Sequence, residues 1–206
     1  MARVRDSGMP PQAQWESYFA PGPVLDALGC RGLDGDVVEF GCGYGTFTLA
    51  AAARTRGTVY ALDIDAQMVA ATQERARLGG AANVVAQARD FLADGCGRPD
   101  GTVAYAMLFN ILHLENPQDL LREVRRVLAP GGHAGVMHWR SDVATPRGPD
   151  PSIRPTAAQC RAWAGAAGLH ATWSGALPGA PWHWGMVLGQ ACGPHTMLMN
   201  GGAGLR

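Results

Sequence analysis

The stretch that most constrains this chain is Val37-Val38-Glu39-Phe40-Gly41-Cys42-Gly43-Tyr44-Gly45-Thr46-Phe47. An apolar run carrying one acid breaks into glycines on alternate positions. Thr46-Phe47-Thr48-Leu49-Ala50-Ala51-Ala52-Ala53 then follows as a helix-forming string. The pattern predicts a strand, a tight turn and a helix. Glycine lets the main chain take positive φ and lets a ligand approach the backbone closely. The start of the helix adds unpaired N–H groups and the positive end of its dipole. At the carboxyl end of a parallel strand, such a turn receives a ligand with polar or negative groups.

The rest of the chain supplies the elements such a turn needs. Gly57–Asp63 reads as a second strand with an acid at its end. An acid about 20 residues beyond the glycines is where parallel α/β folds hydrogen-bond a ribose diol. Asp65 fits the cap of a helix from Ala66 to Leu78, which Gly79-Gly80 stops. Asn83–Gln87 is a third strand leading to Asp90-Phe91. Thr102–Phe109 is almost continuously apolar, as a central buried strand is, and runs into Asn110-Ile111-Leu112-His113. Asn116-Pro117 opens a helix with Leu120, Leu121, Val124, Val127 and Leu128 on one face, and Ala129-Pro130-Gly131-Gly132 stops it. His133–Trp139 is a fifth strand and residues 141–155 a proline-rich loop. Thr156–Ala167 is a helix with Cys160, Trp163, Ala164 and Ala167 inward. Leu169–Trp173 and Trp184–Leu188 form a last, antiparallel pair. The expected fold is α/β: a doubly wound, seven-stranded, mostly parallel sheet with an antiparallel final strand.

Before the first strand, residues 1–12 are polar and expected to be loosely held. Gln14–Phe19 gathers Trp15, Tyr18 and Phe19, a helix that either packs its rings on the sheet or covers a ligand. Pro21-Gly22-Pro23 is expected to break the chain before a short helix from Val24 to Leu28. The reading is one domain: an N-terminal lid segment (1–23), a core (24–190) and an irregular tail (191–206).

Composition narrows the function. With 206 residues, 47% apolar and 17% charged, the chain suits one globular domain. Its 17 basic and 17 acidic residues cancel and it has no Lys, so the electrostatic footprint of a nucleic-acid binder is missing. Cys30, Cys42, Cys96, Cys160 and Cys192 are odd in number, widely spaced and without a C-x-x-C pair, which argues against a disulfide framework and against a metal site. No signal segment or long apolar span is evident, so a cytoplasmic protein without membrane contact is expected.

The Glu-x-Gly-x-Gly-x-Gly run resembles motif I of the class I S-adenosylmethionine-dependent methyltransferases. The dinucleotide fingerprint would instead place glycine or alanine where Thr46 stands. Asp63, Asp90-Phe91 and Leu128-Ala129-Pro130-Gly131-Gly132 fall where that family has its later motifs. The last of these resembles the branch of ubiquinone/menaquinone-type C-methyltransferases and their small-molecule relatives. The resemblance spans residues 24–190. It implies S-adenosyl-L-methionine as cofactor, with Gly41, Cys42, Gly43 and Gly45 around its methionine portion and Glu39 near its amino group. Asp63 would take the ribose, Ile64 and Asp90-Phe91 the adenine, and Asn110 the floor. Cys42, inside the turn, reads first as a small apolar filler. His113 and His138 follow strands at the crevice edge and are the candidates for a general base. Trp15, Tyr18 and Trp139 would wall the pocket of a small-molecule acceptor. A homodimer is left open. The competing readings are a nicotinamide-dependent oxidoreductase, which Thr46 disfavours, and a non-catalytic cofactor-binding protein.

Overall fold

The structure is a computed structural model and describes residues 9–190. The first eight residues and the tail from 191 on, with Cys192, lie outside the described residues. Seven strands form one sheet in the order β3-β2-β1-β4-β5-β7-β6. They are β1 Asp36–Phe40, β2 Val59–Asp63, β3 Val84–Ala88, β4 Val103–Phe109, β5 Leu128–Trp139, β6 Leu169–Ala176 and β7 His183–Gln190. β1 to β5 run parallel, and β7 inserts antiparallel between β5 and β6. The chain travels outward from β1 to β3 and returns to place β4 on the other side of β1. A crevice therefore opens above β1 and β4, where strand order reverses and α/β folds bind ligands.

Alternation along β4 builds two cores. Tyr105, Met107 and Phe109 face helices α2 (Pro21–Ala27) and α3 (Thr46–Ala52), whereas Ala106 and Leu108 face α5 (Pro117–Val127) and α6 (Ala157–Ala166). β4 is buried on both faces, as a continuous apolar run requires. α4 (Ala66–Leu78) packs Val69 against Ala61 and Ala86. Asp65 caps α4 by accepting the Gln67 N–H at 2.8 Å. Thr156 and Gln159 form a reciprocal capping box on α6.

Three local expectations are corrected. Pro21 and Pro23 do not break the chain but open α2, because proline's missing N–H costs nothing in a first helical turn. Ala129–Gly132 does not precede β5 but lies inside it. Leu128 already pairs with Val103, and the register then slips before His133 pairs with Tyr105. Gly131 takes φ +80° there, and a Cβ on Gly132 would stand 2.9 Å from the Val103 carbonyl oxygen. Asn116 precedes α5 without a side-chain capping bond, so Pro117 alone carries the helix start.

Candidate active site

The glycine turn leaves β1 with φ of +83°, +52° and +72° at Gly41, Gly43 and Gly45. The Gly41 and Cys42 N–H groups both donate to the Leu62 carbonyl, at 2.8 and 2.9 Å, tying the turn to β2. The three glycines do different work. A Cβ on Gly45 would meet the Thr72 hydroxyl at 2.9 Å, so this glycine admits α4. A Cβ on Gly41 would meet Ile111 Cδ1 at 3.2 Å, and one on Gly43 would meet Met9 Cε at 3.0 Å. Two flexible side-chain tips thus bound the open side of the turn. Cys42 is buried, with its Sγ 3.6 Å from the Thr72 hydroxyl, and burial pushes its thiol well above the ordinary range. It is a filler and not a nucleophile.

The acids around the turn occupy distinct environments. Asp63 Oδ2 accepts the Gly43 N–H at 2.9 Å and Oδ1 accepts the Asp65 N–H at 3.0 Å. Burial still raises its pKa, the two bonds opposing. Ile64 beside it is exposed. Glu39 is buried behind the turn and accepts a hydrogen bond from the Thr48 hydroxyl. Burial pushes its carboxyl up to about 8, the Thr48 bond opposing and the Asp63 charge adding to the rise. Asp90 Oδ1 accepts the Leu92 and Ala93 N–H groups at 3.2 and 3.1 Å, so it closes the turn after β3. The Phe91 ring is buried edge-on to Phe40, 5.3 Å between centroids, and so faces the core.

At the tip of β4, Asn110 is the one non-glycine residue with positive φ (+55°) among the described residues. Its N–H donates to the Met137 carbonyl at 2.7 Å, holding it between β4 and β5. Both atoms of its amide are buried without a hydrogen-bond partner among the described residues. Strain and unpaired polar atoms each cost on the order of 1–3 kcal/mol, and they concentrate at functional sites. The Thr46 hydroxyl at the start of α3 is likewise buried and unpaired.

The two histidines singled out from sequence meet. His113 Nδ1 and His138 Nε2 stand 3.1 Å apart, both rings buried. Trp184 stacks on His138 with 6.4 Å between centroids. Burial first, and His113 second, drives the His138 pKa well below its ordinary value.

On the opposite face of the sheet, the N-terminal segment closes over an aromatic cluster. Tyr18 lies edge-on to Trp139 at 5.6 Å, and Trp15 lies edge-on to Phe19 at 4.8 Å. The Tyr44 hydroxyl donates to the Pro10 carbonyl at 2.9 Å, and Arg75 pairs with Glu16 at 2.6 Å while also donating to the Tyr44 carbonyl. Arg154, buried in the loop after β5, donates to the carbonyls of Pro149 and Arg140 at 2.8 and 2.7 Å and to the Thr145 hydroxyl at 2.8 Å. Thr46, Thr48, Thr72, Arg75 and Arg154 were not singled out from sequence. Their roles depend on residues distant in the chain, which no local pattern announces.

Residues 37–132 match a family model described as a methyltransferase domain. Among solved structures, the fold is similar to an S-adenosylmethionine-dependent methyltransferase from Aquifex aeolicus, at 22% identity, 86% of this chain, 92% of that one and a TM-score of 0.75. It is similar to geranyl diphosphate C-methyltransferase from Streptomyces coelicolor A3(2), at 16% identity, 82% and 75% coverage and a TM-score of 0.66. It is also similar to the cyclase SpnF, at 16% identity, 93% and 87% coverage and a TM-score of 0.68. At these identities the structures establish the fold. The matched span holds the glycine turn, Glu39, Asp63, Asp90 and Asn110, and the sheet around it has the fold of the S-adenosylmethionine-dependent methyltransferases it resembles. Among the described residues, no group of three or more His, Cys, Asp or Glu could hold a metal ion, and no helix is long and apolar enough to cross a membrane.

Proposed function

We propose that this chain transfers the methyl group of S-adenosylmethionine to a small-molecule acceptor by in-line displacement, releasing S-adenosylhomocysteine. Asn110 carries the reading: a strained residue with an unpaired amide, at the strand tip where cofactor and acceptor would meet. The surroundings fit the cofactor. The main chain at Gly41 and Gly43 would cradle the methionine portion, with Thr46 in reach of its polar end and Glu39 behind its amino group. Asp63 would take the ribose hydroxyls. Ile64 would flank the adenine, with Asp90 and the Phe91 main chain at its edge. When bound, the cofactor supplies a methyl group already activated on a sulfonium. The chain's own residues then have to hold a nucleophile about 3 Å from that carbon, a placement worth roughly 7–11 kcal/mol. Balanced charge and the aromatic cover of Tyr18 and Trp139 favour a small acceptor in the cytoplasm over nucleic acid or a lipid surface.

Calorimetry with S-adenosylhomocysteine, followed by label transfer from the methyl donor to a panel of small acceptors, tests this. No heat at high micromolar ligand refutes cofactor use. Binding with no transfer to any acceptor supports the non-catalytic alternative.

A further inference from the structure

His183 opens β7 directly opposite Trp139 at the end of β5. It is 1% exposed, and its ring centroid lies 4.0 Å from that of Trp139 and 5.0 Å from that of Phe19. Neither ring nitrogen has a hydrogen-bond partner among the described residues. Burial, and then the charge of Arg154, push its pKa down to about 3, so the ring is neutral at physiological pH. A neutral imidazole offers one N–H donor and one bare acceptor nitrogen. Buried polar groups are otherwise paired almost without exception, and the exceptions need a reason. A packing role would be filled better by phenylalanine or leucine. Arg154 spends its bonds on backbone carbonyls and a hydroxyl, and its positive charge, facing that of Asp150, still reaches His183 at the same end of the sheet.

We infer that His183 is the hydrogen-bonding anchor of the acceptor site, and that the acceptor is a flat, largely apolar molecule presenting one neutral or anionic oxygen to the imidazole. The inference rests on the methyl-transfer reading of this site. Trp139 and Phe19 supply faces for the apolar body. The Arg154 charge disfavours a cation at this end and favours electron density on the oxygen. Phe19 follows α1 (Gln12–Glu16) in the segment fastened by Glu16 and Pro10, and the inference requires its ring to move aside with that segment to admit the molecule.

The test uses the full chain saturated with S-adenosylhomocysteine, with 2-naphthol as the probe and 2-naphthylmethylamine as its cationic counterpart. Wild type is expected to bind 2-naphthol and to bind the cation at least tenfold more weakly. His183→Phe and the smaller His183→Leu should weaken 2-naphthol at least tenfold and leave S-adenosylhomocysteine affinity within twofold. At least one of them should raise Tm, since two unpaired buried nitrogens are gone. Unchanged 2-naphthol affinity in both variants overturns the anchor. So does a lower Tm in both, or no 2-naphthol binding by the loaded wild type. Failure of wild type to take up S-adenosylhomocysteine strikes instead the reading beneath it, and the two failures are read in separate titrations.

Discussion

Replacing Glu39 by glutamine should abolish a specific loss of stability at alkaline pH. Glu39 is 3% exposed, and burial lifts its carboxyl from an ordinary 4.5 to about 8. Between those values the folded chain keeps a proton that the unfolded chain has released, so stability falls as pH rises. The slope is about 1.4 kcal/mol per pH unit while the folded carboxyl stays protonated. His138 and His183 act in the opposite sense, because their folded pKa values lie below the ordinary 6.5 and each gains stability as pH rises toward it. Both histidines are present in wild type and variant alike and cancel in the difference, and well above pH 6.5 they are neutral in either state, leaving Glu39 to dominate. From there to pH 8 wild type should lose about 1.5 kcal/mol that Glu39→Gln retains. Asp63, whose pKa is also raised, is present in both proteins and cancels in the difference. The glutamine amide oxygen can still accept from Thr48, so packing is preserved. Urea unfolding of both proteins at several pH values in this window measures the effect. A constant stability difference between them would refute a protonated, buried Glu39.

Asp63→Ala should weaken S-adenosylhomocysteine binding by roughly 1–3 kcal/mol, and calorimetry on the folded variant checks this. Gly45→Ala should destabilise the chain by about 1–3 kcal/mol through its positive φ and the Thr72 collision. Adding Thr72→Ala should recover only part of that loss in thermal unfolding, because the backbone strain remains. Asn110→Gly should raise Tm by relieving strain and removing the unpaired amide, yet lower the methyl-transfer rate at saturating cofactor. Equal rates for the two proteins would remove Asn110 from the reacting centre.

The class of fold could be read from sequence because its signals are local. An alternating glycine turn and a strand ending in Asp63 each express a backbone requirement of their own neighbourhood. The buried apolar run of β4 does the same. The opening of α2 was misread because proline both stops and starts helices, and the choice falls to its position in the turn. The start of β5 was misread because Leu128 satisfies α5 and β4 together. The partners of the site were beyond reach for a different reason. Thr48 reaches Glu39 across the strand–turn–helix unit, and His113 meets His138 from a position 25 residues away. Such pairings are products of topology. Whether the nitrogens of His183 find partners is not legible in the sequence, since an alternating strand hides it.

Arg75 leaves one more mark on how the molecule works. A single guanidinium holds both the carbonyl of Tyr44 in the turn and the carboxylate of Glu16 in the segment above it. These charged side chains remain 26% and 34% exposed, within reach of dissolved ions. The fastener is therefore a salt-sensitive clasp, and rising ionic strength should loosen the hold of the N-terminal segment on the glycine turn.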